Sequence, residues 1–419
     1  MVYTSIVPHQ VLQRNPTTNS AYVEIDHDIH EFPVGGPYTL QKMGPFYVGD
    51  LWVMAGQSNM RGHGYYRDPF TGHELCKEPQ PHVFLYDSSE RWRPFDRDPS
   101  HQLHQSPRSV HHTLPDPTVR DPHLLETRGA SLAVGFANMY RAIMPDVPLG
   151  LIASAHGGTS LSDWQRPAEL NTQTADTTLY GAMWDRIQQV HSVAGILWYQ
   201  GESDTSNKQD ADTYLDRFQH WLSTLRADLE QPNLPLVFVQ IGPHRVNVPA
   251  MMEHWKTVQD AQFQLMGSCP FTAGVASLDV DLDDRLHLSA CGLSSVGKRL
   301  AIAAHKAKQG QGHQATPLPD KAYLETTPSG HTSIVVEFKY LHKPWHLKAY
   351  EQVFGFSIES SKIALLKTIV CDDSKGSVRL YLSDKPDTPF TIYYGMHQSM
   401  VNLVTLDGMA LPAFKLKVY

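Results

Sequence analysis

Four short stretches of this chain carry residue types that together can do acyl-transfer chemistry. The apolar run Leu51-Trp52-Val53-Met54-Ala55 ends at Gly56 and is followed by Gln57-Ser58-Asn59-Met60. A serine on a tight turn at the carboxyl end of a buried strand lies on the rim where open α/β sheets bind ligands. A helix starting just after that turn aims its first N–H groups at the same spot. Three other strand-like runs end in Gly157-Gly158, in Gln200-Gly201-Glu202, and in an acidic loop that reaches Asp284 and His287. A serine becomes a nucleophile with a base beside it, and histidine is the usual base. A histidine in turn needs an orienting carboxylate, which Asp284 offers three residues away on the same loop. A tetrahedral intermediate needs hydrogen-bond donors at its oxyanion. The Ser58 N–H, a glycine N–H from Gly157 or Gly158, and the Gln200 side-chain amide are the candidates. Each stretch also has a plain structural reading: an N-cap serine, a glycine turn, a polar strand end, a chance Asp-x-x-His pair. Four of them in this order, all at strand ends, favour catalysis.

The elements that would position these residues form an α/β pattern. Strands are expected at 51–55, 148–154, 194–199, 236–241 and 273–278, alternating with helices at 130–143, 210–229, 250–266 and 292–307. Such alternation implies a parallel sheet covered on both faces. Residues 63–128 read as a long irregular insert with one strand at 83–86. Its histidines (His101, His104, His111, His112, His123) lack the spacing of a metal site and read as solvated or substrate-touching. Beyond a linker at 310–319 the pattern becomes short strands and turns, as in a β-sandwich of about a hundred residues. Residues 1–47 are also strand-like. Like composition at the two ends suggests that the N-terminal strands complete the C-terminal sandwich. The expected division is 1–47 as an N-terminal β segment, 48–312 as an α/β catalytic domain and 313–419 as the β-sandwich.

Composition narrows the partners. The 419 residues carry a formal net charge of −8, with 41% hydrophobic and 19% charged residues. No basic excess is present to drive binding to nucleic acid or to an anionic membrane. No apolar run is long enough to span a bilayer. The N-terminus lacks the basic and apolar regions of a signal peptide, which leaves a cytoplasmic protein or a mature exported form. The four cysteines are far apart, without a C-x-x-C, and a chain of this size folds without disulfides.

The four stretches also carry a family resemblance. Gly56-Gln57-Ser58-Asn59-Met60 resembles the first block of SGNH hydrolases, in particular the carbohydrate O-acetylesterase branch with the sialate O-acetylesterases and acetylxylan esterases. Gly157-Gly158-Thr159-Ser160-Leu161-Ser162-Asp163-Trp164 is similar to that branch's second block. Trp198-Tyr199-Gln200-Gly201-Glu202-Ser203-Asp204 is similar to its third, and Asp284-Arg285-Leu286-His287-Leu288-Ser289 to its last. The likeness spans roughly residues 48–305. It implies a flavodoxin-like three-layer sandwich, Ser58 as nucleophile, His287 as general base, and an oxyanion hole of Ser58 N–H, Gly157 or Gly158 N–H, and Gln200. The acid implied is Asp284 from the usual SGNH pattern, with Glu202 as the alternative.

The function expected is therefore a serine esterase that removes O-acetyl groups from a carbohydrate, with no cofactor and no metal. Alternatives are an esterase or thioesterase for a non-sugar substrate on the same scaffold, and a carbohydrate-binding protein with a dead site. Intact Ser58, Gln200, Asp284 and His287 argue against the last. Asn59, Arg61 and Trp164 are candidate substrate contacts. Arg61 or Arg166 would meet the carboxylate of a sialic acid, whereas Trp92 or Trp164 would stack on a neutral sugar.

Overall fold

Strand β1 (Met43–Gly56) is the spine of the molecule. Its second half pairs with β4 (Leu149–Ala153) on one side and β5 (Gly195–Tyr199) on the other, both parallel. The computed structural model describes all residues except 1, 42, 77, 97–98, 327–329, 360–362, 372–375, 388 and 397–399. With β2 (Val83–Tyr86), β3 (Trp92–Pro94), β6 (Leu236–Val239) and β7 (Thr272–Val275), the sheet order is β7-β6-β5-β1-β4-β2-β3. Of these seven strands, only β3 runs antiparallel to its neighbour. Without the two insert strands, β4-β1-β5-β6-β7 is the flavodoxin-like order. The chain leaves β1 for β4 on one side and later crosses to β5 on the other. The carboxyl end of β1 is therefore the switch point of the sheet, where a crevice opens.

The two faces are covered by different helices, as strand alternation requires. Trp52 stands opposite Gly195 and packs on Phe136 and Tyr140 of α1 (Ala133–Ile143). A side chain at Gly195 would strike the Trp52 ring. Trp198 points to the other face, against Phe218 and Trp221 of α3 (Tyr214–Asp228) and against Trp164. Between these helices in sequence runs α2 (Leu179–Gln189). Helix α5 (Ala290–Lys308) packs beside α1, and α4 (Pro249–Leu265) beside α3. The helix expected over 210–229 is broken at Thr213 into Lys208–Asp212 and α3. No helix among the described residues is long and apolar enough to cross a membrane.

The N-terminal strands do not complete the C-terminal sheet, contrary to the reading from composition. Val11–Gln13 and Gly35–Leu40 pair with the first half of β1, and Val2–Tyr3, Ser20–Ile25 and Asp28–Pro33 form their own small sheet. The reason is the length of β1, 14 residues, which carries its ladder well beyond the parallel sheet and offers free edges there. The C-terminal region is a seven-stranded sheet, mostly antiparallel, whose edge strands Phe356–Ile358 and Leu365–Val370 approach each other, so that it curls into a near-closed sandwich. It is clamped to the α/β part by Gln240, which exchanges hydrogen bonds with the Ala413 backbone, and by the Asp279–Arg299 pair beside Lys348.

Candidate active site

Gly56 ends β1 with φ of 127°, and a Cβ there would meet the Tyr199 carbonyl oxygen at 2.2 Å. Only glycine fits that approach, and it swings the chain into the short helix Ser58–Arg61. Ser58 thus projects from the switch point. Its Oγ lies 2.9 Å from His287 Nε2, although the two residues are 229 positions apart. His287 Nδ1 lies 2.8 Å from Asp284 Oδ2. The other oxygen, Asp284 Oδ1, accepts the N–H groups of Leu286 and His287, each at 2.9 Å. Burial alone would raise the Asp284 pKa, but these bonds and the one from His287 hold it well below the usual carboxylate range. The Asp284 carboxylate therefore keeps the His287 proton on Nδ1 and leaves Nε2 free to take one from Ser58.

Glu202, the alternative acid, does not touch His287. It is buried and accepts the Asn59 side-chain amide at 2.7 Å, while its second oxygen has no partner among the described residues. Burial raises its pKa. Asn59 passes this support on. Its Oδ1 accepts the Leu288 N–H at 3.0 Å, which tethers the His287 loop to the serine turn. Asn59 is buried in this task and does not face a substrate.

The expected oxyanion donors divide. The Ser58 and Gly158 N–H groups have no protein acceptor among the described residues, and Gly158 is exposed. Gly157 N–H instead donates to Asp116 Oδ2 at 3.1 Å. The Gln200 amide is fully buried and donates to Asp204, to the Thr159 carbonyl and to Gln57. Its protons are taken, so it braces the site from below and is not poised as a donor. Trp164 is also fully buried, under Trp198, with its indole N–H on Thr159, and offers no platform to a sugar.

Arg61 is likewise unavailable. Its side chain is 1% exposed and pairs with Asp116, which is 0% exposed, at 3.1 Å. Asp116 comes from the insert and holds both Arg61 and Gly157 N–H. It is a clasp between the serine turn and the glycine turn. Burial would raise the Asp116 pKa, but Arg61 and Thr118 hold it below the usual value. Arg166, the other cation proposed for a carboxylate, is paired with Asp228 at 2.8 Å. Sequence reasoning missed Asp116 and Arg128, which sits 3.2 Å from Asp284 Oδ2. No motif marks either residue, because both come from the irregular insert.

Of the insert histidines, His112 and His123 are exposed, whereas His101 and His111 are not solvated. His101 is buried and accepts the Ala155 N–H. His111 is buried between Arg186 and His156. Arg186 can only donate, so His111 Nε2 accepts, and its Nδ1–H is left for His156 Nδ1. These rings brace the strand end that leads to Gly157. Among the described residues the one cluster with metal-ligand spacing is His63, Asp284 and His287. The His63 ring lies 4.0 Å from the His287 ring. Arg61 Nη2 donates to His63 Nδ1 at 3.2 Å, which forces the neutral ring to carry its proton on Nε2, the nitrogen nearest Asp284. Burial, the nearby His287 ring and the guanidinium groups of Arg128 and Arg61 push His63 down to about 3, so it stays neutral. A metal ion at that nitrogen would have to displace this proton with two guanidinium groups nearby. The donor set does not suit a cation.

Comparison with known proteins places the chain among carbohydrate esterases. The family described as carbohydrate esterase, sialic acid-specific acetylesterase, matches residues 48–306. An Arabidopsis thaliana protein named as a probable carbohydrate esterase is 25% identical over 212 residues, covering 47% of this chain and 71% of its own. The crystal structure of a carbohydrate acetylesterase from Xanthomonas citri superposes with a TM-score of 0.67 at 19% identity, covering 99% of each chain. That likeness extends the shared fold through the N-terminal strands and the C-terminal sheet.

Proposed function

The chain belongs to the carbohydrate esterase family of sialic acid-specific acetylesterases, and from that premise we propose that it hydrolyses O-acetyl esters of a sugar through an acetyl-serine intermediate on Ser58. The observation that carries this reading is the line Ser58 Oγ–His287 Nε2–Asp284, at 2.9 and 2.8 Å. His287 Nε2 takes the Ser58 proton as Oγ bonds to the acetyl carbonyl carbon. The carbonyl oxygen becomes an oxyanion, met by the Ser58 and Gly158 N–H groups. Collapse breaks the bond to the sugar oxygen, which leaves with the proton from His287. Water then attacks the acetyl-serine and gives its proton to His287. Acetate departs as Ser58 regains its proton. Asp284 stays ionised and steadies the imidazolium in both halves.

The test is hydrolysis of 4-nitrophenyl acetate by the wild type and by Ser58→Ala, with EDTA in both. The expected result is loss of at least about a thousandfold in kcat in the variant and none from EDTA. Equal rates for the two proteins would overturn the assignment of Ser58.

A further inference from the structure

A cavity of about 600 Å³ opens at the amino edge of the parallel sheet, the edge opposite the catalytic centre. It lies among Asp50 of β1, Ala194 before β5 and Pro235 before β6, and is closed by residues 13–16 and the last turn of α5. From Asp50 to Gly56 the strand runs about 20 Å, so this cavity is separate from the space around Ser58. Its floor is a buried charge cluster. Asp50, 1% exposed, accepts Arg14 Nε at 2.9 Å, Arg14 Nη2 at 2.8 Å, the Tyr140 hydroxyl at 2.6 Å and Lys308 Nζ. One carboxylate thus brings together two cations from opposite ends of the α/β fold. Lys308 also donates to the Tyr140 oxygen at 3.3 Å, and its third N–H has no acceptor among the described residues. Arg14 spends one further N–H on Asn19 and keeps two. Both cations reach the cavity, 14% and 21% exposed.

Two cations on one carboxylate leave one positive charge in excess, and Asp50 is the only acid among the residues that line the cavity. A largely buried charge without a full counter-charge is costly, and an anion bound beside it removes that cost. The walls above the cluster are apolar, formed by Met144, Val193, Ala194, Leu234 and Pro235. We propose that this cavity binds a small monocarboxylate with an apolar ring, its carboxylate held by the free N–H groups of Lys308 and Arg14 and its ring by the apolar walls. Bonds from charged donors to a carboxylate are the stronger kind, and a preformed apolar cleft with a few convergent polar groups is the usual form of a small-molecule site. The inference does not depend on the esterase reading. The cavity does stand at the far ends of the two elements that flank the catalytic pair. Strand β1 leads from Asp50 toward Ser58, and α5 begins three residues after His287 and ends at Lys308.

Cinnamate serves as the probe and cinnamamide as its neutral counterpart, each titrated calorimetrically into the full chain at constant ionic strength. Cinnamate is expected to bind with a Kd of about 1 mM or below, at least about tenfold tighter than the amide. Lys308→Gln removes the excess charge and is expected to weaken cinnamate at least about tenfold, with a melting curve as the check on folding. Asn233→Trp leaves the charge cluster untouched and narrows the cavity from its exposed lip. It is expected to weaken cinnamate as well, and it decides the matter alone where Lys308→Gln does not fold. Cinnamate no tighter than its amide, or affinity unmoved in the folded variants, would overturn the site. Acetate binding as tightly as cinnamate would leave the apolar walls without a role and overturn the ligand class. Competitive inhibition of 4-nitrophenyl acetate hydrolysis by cinnamate would put the acid at Ser58 and overturn its place in the cavity. Hydrolysis independent of Ser58 would remove the proposed mechanism and leave the calorimetric result standing.

Discussion

Replacing Asp284 by asparagine, with Glu202→Gln as its partner experiment, separates the two candidate acids. Asp284 Oδ1 is fixed by the backbone N–H groups of Leu286 and His287, so an asparagine must keep its carbonyl oxygen there. Its NH2 group then occupies the place of Oδ2 and donates to His287 Nδ1, which must accept. The ring proton moves to Nε2, facing Ser58, and His287 can no longer take the serine proton. The expected loss is about 10³–10⁴ in kcat, or roughly 4–5.5 kcal/mol of transition-state stabilisation. Glu202→Gln keeps an acceptor for the Asn59 amide, and with it the tether to Leu288. Its loss is expected to stay below about tenfold, because no proton on His287 changes place. Steady-state hydrolysis of 4-nitrophenyl acetate reads both. A thousandfold loss in Glu202→Gln beside a mild effect in Asp284→Asn would refute the reasoning and move the acid to Glu202. Stability supplies a second reading. Burial raises the Glu202 pKa, so the folded state holds a proton that the unfolded state has released above about pH 4.3. Wild-type stability therefore falls as pH rises through the folded pKa. Melting curves are expected to show Glu202→Gln gaining on the wild type toward neutral pH and converging with it in acid.

Two further outcomes follow from buried charge. Asp116→Ala leaves the Arg61 guanidinium buried without its partner and is expected to cost about 3–5 kcal/mol in urea unfolding. It also releases Gly157 N–H. Asp116→Asn keeps an acceptor for Gly157 and is expected to lose less kcat than the alanine variant in the same ester assay. The Asp279 side chain is fully buried; burial would raise its pKa, but Arg299 and Lys348 hold it down to about 2. Its contribution, about 2 kcal/mol from that shift, is present above pH 4 and lost as pH falls toward 2. Asp279→Asn should therefore remove part of the acid-induced loss seen in a pH series of melting curves, and an unchanged pH profile would count against the clamp.

The sequence made the proposed reacting groups legible and left their supports hidden, and the reason is physical. Ser58, Gly157-Gly158 and Gln200 stand where strands end, and His287 lies on the loop that follows the last strand; strand ends are visible as apolar runs stopped by glycine and polar residues. The parallel sheet then brings those ends to one edge, so the residues converge under any arrangement of the helices. Asp284 is legible for a second reason, since three residues of chain hold it to His287. Neither logic reaches the insert. Asp116, His101 and His111 are fixed by buried partners supplied from Arg61, Ala155 and Arg186, and no local spacing announces a long-range pair. The same blindness misplaced the side chains beside the motifs. A position within a block says that a residue is near the centre and not which way it faces. Gln200, Arg61 and Trp164 all turned out to face inward, toward Asp204, Asp116 and Trp198. The N-terminal strands erred for a related reason, because composition registers that a segment wants a sheet and cannot say which edge is free. That edge belongs to β1, the strand that leads to Ser58, and Val11–Gln13 and Gly35–Leu40 lie along it. The layout gives residues 2–40 a part in holding β1 in register and, through it, the turn that presents Ser58.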